Sequence, residues 1–144
     1  AEVRELLGRG IRVVGAGSMG ALRAVELASL GMKGIGTVYA WYAAGRIQAD
    51  DEVALTFTEG DFQACSIPLV SLRYAMEQAI SADLIRPNDA RTIVAVARAM
   101  HYPERTLQKI VAAAGTAIGP IAEALRRWDV KRDDARALLR WMAT

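Results

Sequence analysis

The feature that most constrains the fold is a glycine-rich turn, "VVGAGSMGALRA", which lies between two segments of different periodicity. Residues 11–15 form a short apolar run that predicts a buried strand. Residues 18–30 place apolar side chains at helical spacing and predict a helix that Gly31 ends. A strand, a tight turn and a helix in this order predict an α/β fold, with a small Rossmann-like parallel sheet at the front of the chain.

The front of the chain offers few further strands. Residues 2–10 predict the last turns of a helix, residues 36–45 predict another helix, and residues 53–58 alternate as a strand does. A parallel sheet needs several strands that are covered on both faces. We therefore expect the sheet to be incomplete in this chain and to be completed by upstream residues or by a partner chain.

The back of the chain is rich in helix signals. Helices are predicted over residues 69–80, 88–100, 103–115, 117–128 and 132–142. Their boundary signals are Pro68, Asn88 as an N-cap after Pro87, Pro103 in a first helical turn and Gly115 at a helix end. The sequence thus predicts an α/β core over residues 1–68 and an all-helical region over residues 69–144.

Composition excludes several classes of function. The 144 residues carry a net charge of +2, which is low for a protein that binds nucleic acid through phosphates. The densest basic stretch is interrupted by acidic residues and indicates a solvated helix face; it contains Arg126, Arg127, Lys131 and Arg132 with Asp129, Asp133 and Asp134. The single cysteine, Cys65, permits no internal disulfide, and no apolar run reaches the roughly 18 residues of a membrane span. With no signal peptide at the start of the sequence, we expect a cytoplasmic protein without nucleic-acid or membrane partners.

Three interpretations suit the turn at residues 15–20. The letters match G-x-G-x-x-G, which cradles a dinucleotide phosphate, but no acidic residue follows near residues 38–41 to hold a ribose. They also match a nucleophile elbow that would expose the Ser18 hydroxyl beside N–H groups suited to an oxyanion. His101 is the only histidine and follows a predicted helix, so the elbow has no evident base. In the third interpretation Ser18 is simply a helix N-cap.

Several motifs in one order resemble the TfuA family. "GAGSMGALRAVEL" is similar to the family's Gly-Ala-Ser-Ser-Met-Gly-Ala-Leu-Arg-Ala-Ala-Glu-Leu block, and "LGMKGIGTVY" and "DDEVAL" follow in the family's order. Downstream, "IPLVSLRYAM" and "YPERT" resemble its Leu-Val-x-x-Arg and Tyr-x-x-Arg-Thr segments. Gly17 stands where the family usually has the first serine, and Glu2 and Val3 align with the end of a Trp-His-Lys-Glu-like segment that this sequence lacks.

The resemblance implies a role in peptide thioamidation. TfuA proteins are partners of YcaO enzymes, which use ATP, with magnesium, to activate a backbone amide oxygen of a ribosomally made substrate peptide. The resemblance implies that this chain activates YcaO, or releases sulfide by hydrolysing a thiocarboxylated, ubiquitin-like sulfur-carrier protein, or does both. No cofactor or metal is then expected in this chain itself.

The site residues that follow from this resemblance lie in four segments. Ser18 is expected to attack or to donate a hydrogen bond, within an anion-binding turn made of Gly15, Gly17, Met19 and Gly20. Arg23 is expected to pair with a carboxylate or thiocarboxylate, or with Glu26 in a plain salt bridge. Asp50, Asp51 and Glu52 are expected to repel one another, which would raise one pKa and suit acid–base work, or else to form a solvated turn. Arg73 and Arg105 are expected to contact an anion or a partner.

Two alternatives stay open. The turn at residues 15–20 could only shape the backbone of a non-catalytic module that acts on YcaO by contact, or it could serve a nucleotide-dependent enzyme. A Ser18→Ala variant separates the hydrolase from the contact module, and titration with NAD or ATP tests the nucleotide enzyme.

Overall fold

The computed structural model describes all residues from Ala1 to Thr144, which form two compact units. The first unit contains residues 1–50 and 130–144, and the second contains residues 51–129. The units therefore divide the chain after residue 50 and again after residue 129. The domain boundary at residue 68 stays a prediction.

The first unit combines a small sheet with helices. Its strands are β1 (Val14–Ala16) and β2 (Lys33–Ile35). Its helices are α1 (Glu2–Gly8), α2 (Met19–Glu26), α3 (Thr37–Ala43) and α8 (Val130–Met142), with a 3-10 turn at Ala28–Leu30. The predicted α/β class is confirmed, with a parallel sheet in the front of the chain.

The two strands are parallel, and α2 crosses between them. Val14 is opposite Lys33, and Ala16 is opposite Ile35. Strand β2 was not predicted, because its letters Lys-Gly-Ile form no apolar run. Gly34 is required in β2 because an added Cβ would lie 1.9 Å from a ring carbon of Tyr39. Both strands end at the same edge of the sheet, so the turns that follow β1 and β2 lie side by side.

The core of the first unit forms where α2 leads into β2. Ala24, Leu27 and Met32 are buried together there. Val3 and Leu7 of α1 pack against this cluster, which confirms the helix predicted at the start of the sequence. The apolar face of α1 therefore packs next to α2, the helix that follows the glycine turn.

The second unit is helical. Its α-helices are α4 (Leu69–Ser81), α5 (Pro87–Ala99), α6 (Leu107–Ala114) and α7 (Ile118–Arg127). Helix α4 packs against α5 and α7, and α6 packs against α5 and α7. Their shared core is a single cluster of buried apolar side chains that extends from Leu69 to Ala124.

The strand predicted over residues 53–58 is wrong. Residues Asp50–Glu52 form a 3-10 turn, and only an isolated antiparallel bridge between Phe57 and Ala64 follows it. The backbone N–H of Thr56 donates to the Ser66 hydroxyl at 2.9 Å, so it is not available to a neighbouring strand. Phe57, an apolar residue of this alternating stretch, is 57% exposed, whereas a half-buried strand would cover it.

Two predicted helix starts are corrected. Helix α5 begins at Pro87 with Arg86 in the N-cap position, because proline at the first helical position has no N–H that needs a partner. Pro103 lies in a separate 3-10 turn, Tyr102–Glu104. Helix α6 begins only after Thr106, whose hydroxyl accepts the N–H of the third helical residue. Gly115 ends α6 as predicted.

None of the helices combines the length and the apolar character that a bilayer crossing needs.

Candidate functional site

The turn after β1 requires glycine at two positions. A Cβ on Gly15 would lie 2.0 Å from the carbonyl oxygen of Gly20, so the end of the strand and the start of α2 approach too closely for a side chain. Gly17 has a φ of 74°, in the left-handed region that disfavours other residues. A Cβ on Gly20 itself would meet only ordinary contacts, the nearest at 3.5 Å. Gly15 and Gly17 thus fix the backbone that carries Ser18.

Ser18 precedes α2, and its hydroxyl does not cap that helix. Its carbonyl accepts the N–H of Ala21 at 2.9 Å and of Leu22 at 3.3 Å. The N–H groups of Met19 and Gly20 precede these and have no acceptor within the helix. The predicted helix start is therefore confirmed. The interpretation of the Ser18 side chain as a helix N-cap is wrong, because its hydroxyl makes no capping hydrogen bond.

The Ser18 hydroxyl meets a basic group from the other end of the sequence. It accepts a hydrogen bond from Nζ of Lys131, in α8, at 3.2 Å. Both side chains are half-buried. Helix α8 also covers Gly17, where an added Cβ would lie 3.6 Å from the carbonyl oxygen of Lys131. His101, the only histidine of the sequence, is exposed and belongs to the second unit.

One turn further along α8, Asp134 occupies the turn after β2. Its two carboxylate oxygens accept the N–H of Thr37 at 2.7 Å and of Val38 at 2.9 Å. Burial raises the pKa of the Asp134 carboxyl. The two N–H hydrogen bonds lower this pKa in part, and the nearby Asp133 charge raises it further. Asp134 is 3% exposed, so the interpretation of this stretch as a solvated helix face is wrong for it.

The turn after β2 also bears on nucleotide binding. Gly36, with a φ of 99°, follows β2 at the place where a dinucleotide fingerprint has its acidic residue. A Cβ there would lie 2.3 Å from Cγ of Asp134, so the carboxyl group fills the space beside the turn. The acid at this edge of the sheet thus comes from α8, and both of its oxygens are engaged with backbone N–H groups of α3.

Arg23 and Met19 lie on the exposed side of α2. The Arg23 guanidinium pairs with Glu26, three residues further on, and both side chains are about half exposed. This is the plain salt bridge that the sequence offered as one of its two possibilities. Met19, the residue after Ser18, is 50% exposed, so its apolar side chain is accessible to solvent next to the turn.

The acidic triplet is divided between different surroundings. Asp50 is exposed and is the last residue of the first of the two segments that form the first unit. Glu52 is buried and forms a two-bond pair with Arg73, with Nε–Oε2 at 3.0 Å and Nη2–Oε1 at 2.9 Å. Asp51 accepts Nη2 of Arg105 at 2.7 Å. The three carboxylates do not gather into a group that could hold a metal ion.

Arg105 is the most enclosed charged side chain of the predicted set, with 1% exposure. Besides the Asp51 carboxylate, it donates to the carbonyl oxygens of Asp51 at 3.0 Å and of Ala97 at 2.9 Å. Its own carbonyl accepts the N–H of Ile67 at 2.8 Å. Arg105 therefore joins the acidic turn, the segment before α4 and the end of α5, and all of its guanidinium nitrogens have partners in the chain.

The predicted site residues thus fall into two groups. The glycine turn, Ser18 and Arg23 belong to the first unit, whereas Asp51, Glu52 and the two arginines form ion pairs within the second. The structure adds Lys131 and Asp134, which were not predicted as site residues. No local signal could have found them, because Asp134 and its partner Thr37 are 97 positions apart.

A comparison with protein-family models gives a match over most of the chain. A family model described as TfuA-like protein matches residues 1–106 of the chain. This range includes the glycine turn and both ion pairs, and it ends before α8 begins. The search of curated proteins finds no match.

Proposed function

The chain belongs to the TfuA-like family, and from this premise we propose that it is a cytoplasmic accessory protein of a YcaO enzyme that installs thioamides in ribosomally made peptides or proteins. The family is associated with YcaO-based systems. In this proposal the YcaO partner holds ATP and magnesium and activates the amide oxygen of the substrate peptide. This chain holds no cofactor and supplies the sulfur nucleophile.

The sulfide is released by hydrolysis of a thiocarboxylated, ubiquitin-like carrier protein at the turn that carries Ser18. This proposal rests on the observation that the family match covers a turn in which the serine hydroxyl does not cap the helix that follows. The carrier's extended C-terminus ends in an acyl anion. An anion of this kind suits the start of a helix, where N–H groups point outward and the helix dipole is positive.

Two further features support the same site. Ser18 is half-buried, and the neighbouring Met19 is exposed, so a chain terminus can approach the hydroxyl from the solvent side. The N–H groups of Met19 and Gly20 precede the helical ladder and suit the oxygen of a tetrahedral intermediate. Hydroxyl and N–H donors on one short turn are what acyl transfer to a serine requires.

The test is a reconstitution with purified YcaO, ATP, magnesium, substrate peptide and thiocarboxylated carrier. Mass spectrometry measures the exchange of oxygen for sulfur in the peptide, and a sulfide-reactive dye measures release from the carrier. We expect Ser18→Ala to reduce sulfide release about a thousandfold or more, since it removes the attacking group. Ser29→Ala, an exposed serine of the same unit, is the matched control and retains full activity. Complete conversion without this chain at limiting carrier would overturn the proposal.

A second candidate is a non-catalytic module that activates YcaO by contact. It is favoured by the ion pairs Glu52–Arg73 and Asp51–Arg105, which commit four of the predicted site residues to holding the second unit together. In that case Ser18→Ala leaves thioamidation unchanged when free sulfide is supplied and when the carrier is the donor. Loss of activity only with the carrier supports the hydrolase instead.

A further inference from the structure

One buried carboxylate lies between the two turns that follow the strands of the sheet. Asp134 accepts the N–H groups of Thr37 and Val38, at the start of α3, at 2.7 and 2.9 Å. A Cβ on Gly36 would lie 2.3 Å from Cγ of Asp134, and a Cβ on Gly17 would lie 4.0 Å from its Cβ. This side chain of α8 therefore holds the turn after β2 and lies next to the turn after β1.

Helix α8 has few other anchors. Among its 13 residues Val130 and Asp134 are the buried ones, and they lie four positions apart on one face of the helix. The apolar contacts of Val130 have no preferred direction, whereas two N–H hydrogen bonds fix a carboxylate in one orientation. Hydrogen bonds to a charged acceptor are also about twice as strong as neutral ones. Asp134 therefore determines how the start of α8 is oriented at the edge of the sheet.

The orientation of α8 matters because its first turn covers the glycine turn. The carbonyl oxygen of Lys131 would lie 3.6 Å from a Cβ on Gly17. Gly17 has a left-handed backbone, with a φ of 74°, and directly precedes Ser18. The Ser18 hydroxyl does not cap α2, so the helix that follows does not fix its direction. A shift of α8 would uncover one side of the turn and leave the Ser18 hydroxyl free to change direction.

An acid is an unfavourable choice at this position unless it has a role there. Burial raises the pKa of the Asp134 carboxyl, which means that the surroundings oppose its charged form. An apolar residue of the same size would avoid the free energy lost when a charge is buried, but it would accept neither N–H group of α3. Buried carboxyl groups with shifted pKa values are typical of functional sites.

We propose that Asp134 is a positioning residue of the candidate site. It fastens α8 to the start of α3 and thereby holds the glycine turn in the conformation that presents the Ser18 hydroxyl and the N–H groups of Met19 and Gly20. Asp134 is 3% exposed, so it acts through the backbone and not by contact with the carrier. The kinetic part of this inference rests on the thiocarboxylate hydrolysis proposed above.

The first experiment needs no carrier and uses the variant Asp134→Asn. Asparagine keeps the size of the side chain, but its amide nitrogen cannot accept a hydrogen bond, so one N–H group of α3 faces another donor. Amide hydrogen exchange, followed residue by residue in NMR spectra, then measures how often the glycine turn opens.

Two amides report on the turn, and a third reports on the sheet. The N–H of Ser18 donates to the carbonyl oxygen of Ala16 at 2.9 Å, and the N–H of Ala21 donates to that of Ser18 at 2.9 Å. The N–H of Lys33 donates to Val13 across the sheet at 3.1 Å. We expect the two turn amides to exchange about tenfold faster in the variant while the sheet amide keeps its rate. Unchanged exchange of the turn amides, or an equal increase at all three, would overturn the proposal.

Two further variants make the result specific. Thr37→Pro breaks the same contact from the side of α3, because proline suits the first helical position and its ring replaces the N–H that Asp134 accepts. It should loosen the turn as Asp134→Asn does, and it decides the question if Asp134→Asn does not fold. Val3→Ala is the matched control, since it removes packing from the core beside α1 without touching either turn. It should leave the exchange of the turn relative to that of Lys33 unchanged.

The second experiment measures sulfide release from the thiocarboxylated carrier. We expect Asp134→Asn to lower kcat about 10- to 100-fold and to change KM by less than about threefold, because a misplaced reacting group slows the reaction more than it weakens binding. Val3→Ala, assayed below its unfolding temperature, should keep both constants. A wild-type kcat in Asp134→Asn would overturn the positioning role and leave the proposed function intact. If the wild-type chain releases no sulfide, the proposed function is overturned, and the exchange rates alone decide whether Asp134 holds the turn.

Discussion

At the scale of single residues, the glycine turn depends on the missing side chain at Gly15. Gly15→Ala would drive a Cβ to 2.0 Å from the Gly20 carbonyl oxygen, and backbone atoms on both sides leave little room for adjustment. We expect a loss of more than about 2 kcal/mol in the free energy of unfolding, measured in urea by fluorescence. Gly20→Ala meets only ordinary contacts and is the matched control, with a change below about 1 kcal/mol. Equal losses in the two variants would contradict the close approach.

A second residue-scale prediction concerns pH and Asp134. Its raised pKa means that the folded protein binds this proton more tightly than the unfolded chain does. The carboxyl therefore contributes stability below its unfolded-state pKa, and that contribution is lost as the pH rises through the folded-state pKa. We expect the free energy of unfolding of the wild type, minus that of Asp134→Asn, to fall as the pH is raised above 3.8. Urea titrations at several pH values measure this difference, and a difference that is constant or rises with pH would show that burial does not govern the group.

At the scale of secondary-structure elements, two glycines have the same open space for a Cβ but different backbone conformations. An added Cβ meets nothing within 4 Å at Gly115 or at Gly119. Gly115 ends α6 with a φ of 68°, whereas Gly119 lies within α7. We expect Gly115→Ala to lower the free energy of unfolding by about 1 kcal/mol and Gly119→Ala to raise it by up to about the same amount. The melting temperature should fall in the first variant and rise in the second. Shifts of the same sign in thermal unfolding would refute this assignment of the two conformations.

The elements that the sequence predicts well are those whose signal is local. Helix α4 follows Pro68, and α6 ends at Gly115, because prolines and glycines restrict or release the backbone wherever they stand. Strand β2 was missed because its central Gly34 is selected by the ring of Tyr39, a contact that no periodicity encodes. The strand predicted at residues 53–58 failed for the converse reason, since a side chain, Ser66, takes the N–H of Thr56.

The site follows the same rule. The turn that carries Ser18 is legible in the sequence, because glycines at fixed offsets between a strand and a helix are typical of a tight turn in which two backbones approach closely. The contact of Lys131 with Ser18 could not be predicted, since it depends on the packing of α8 on the sheet edge. The ion pairs Glu52–Arg73 and Asp51–Arg105 likewise bring together three separate segments of the family-matched range, and the letters alone could not predict which residues pair.

At the scale of the whole molecule, the family-matched range and the folded units do not coincide. Residues 1–106 omit α7, whose Ile121 and Ala124 are at most 1% exposed in the core of the second unit. They also omit α8, so the turn after β2 loses Asp134. Residues 51–129, in contrast, form one continuous segment that holds the entire buried cluster from Leu69 to Ala124.

Because a segment with its own core folds as a unit, we expect residues 51–129 alone to unfold cooperatively in urea, and residues 1–106 to unfold without a sharp transition. Far-ultraviolet circular dichroism measures both transitions, and the full chain is the reference. The longer fragment should bind a dye that reports exposed apolar surface, since the partners of α7 on α4 are uncovered. A cooperative transition of residues 1–106 at the midpoint of the full chain would mean that the helices beyond the family match add no stability. In the expected case, α8 both completes the unit that contains Ser18 and supplies the hydrogen-bond donor to the Ser18 hydroxyl, so the surroundings of that hydroxyl depend on residues beyond the family match.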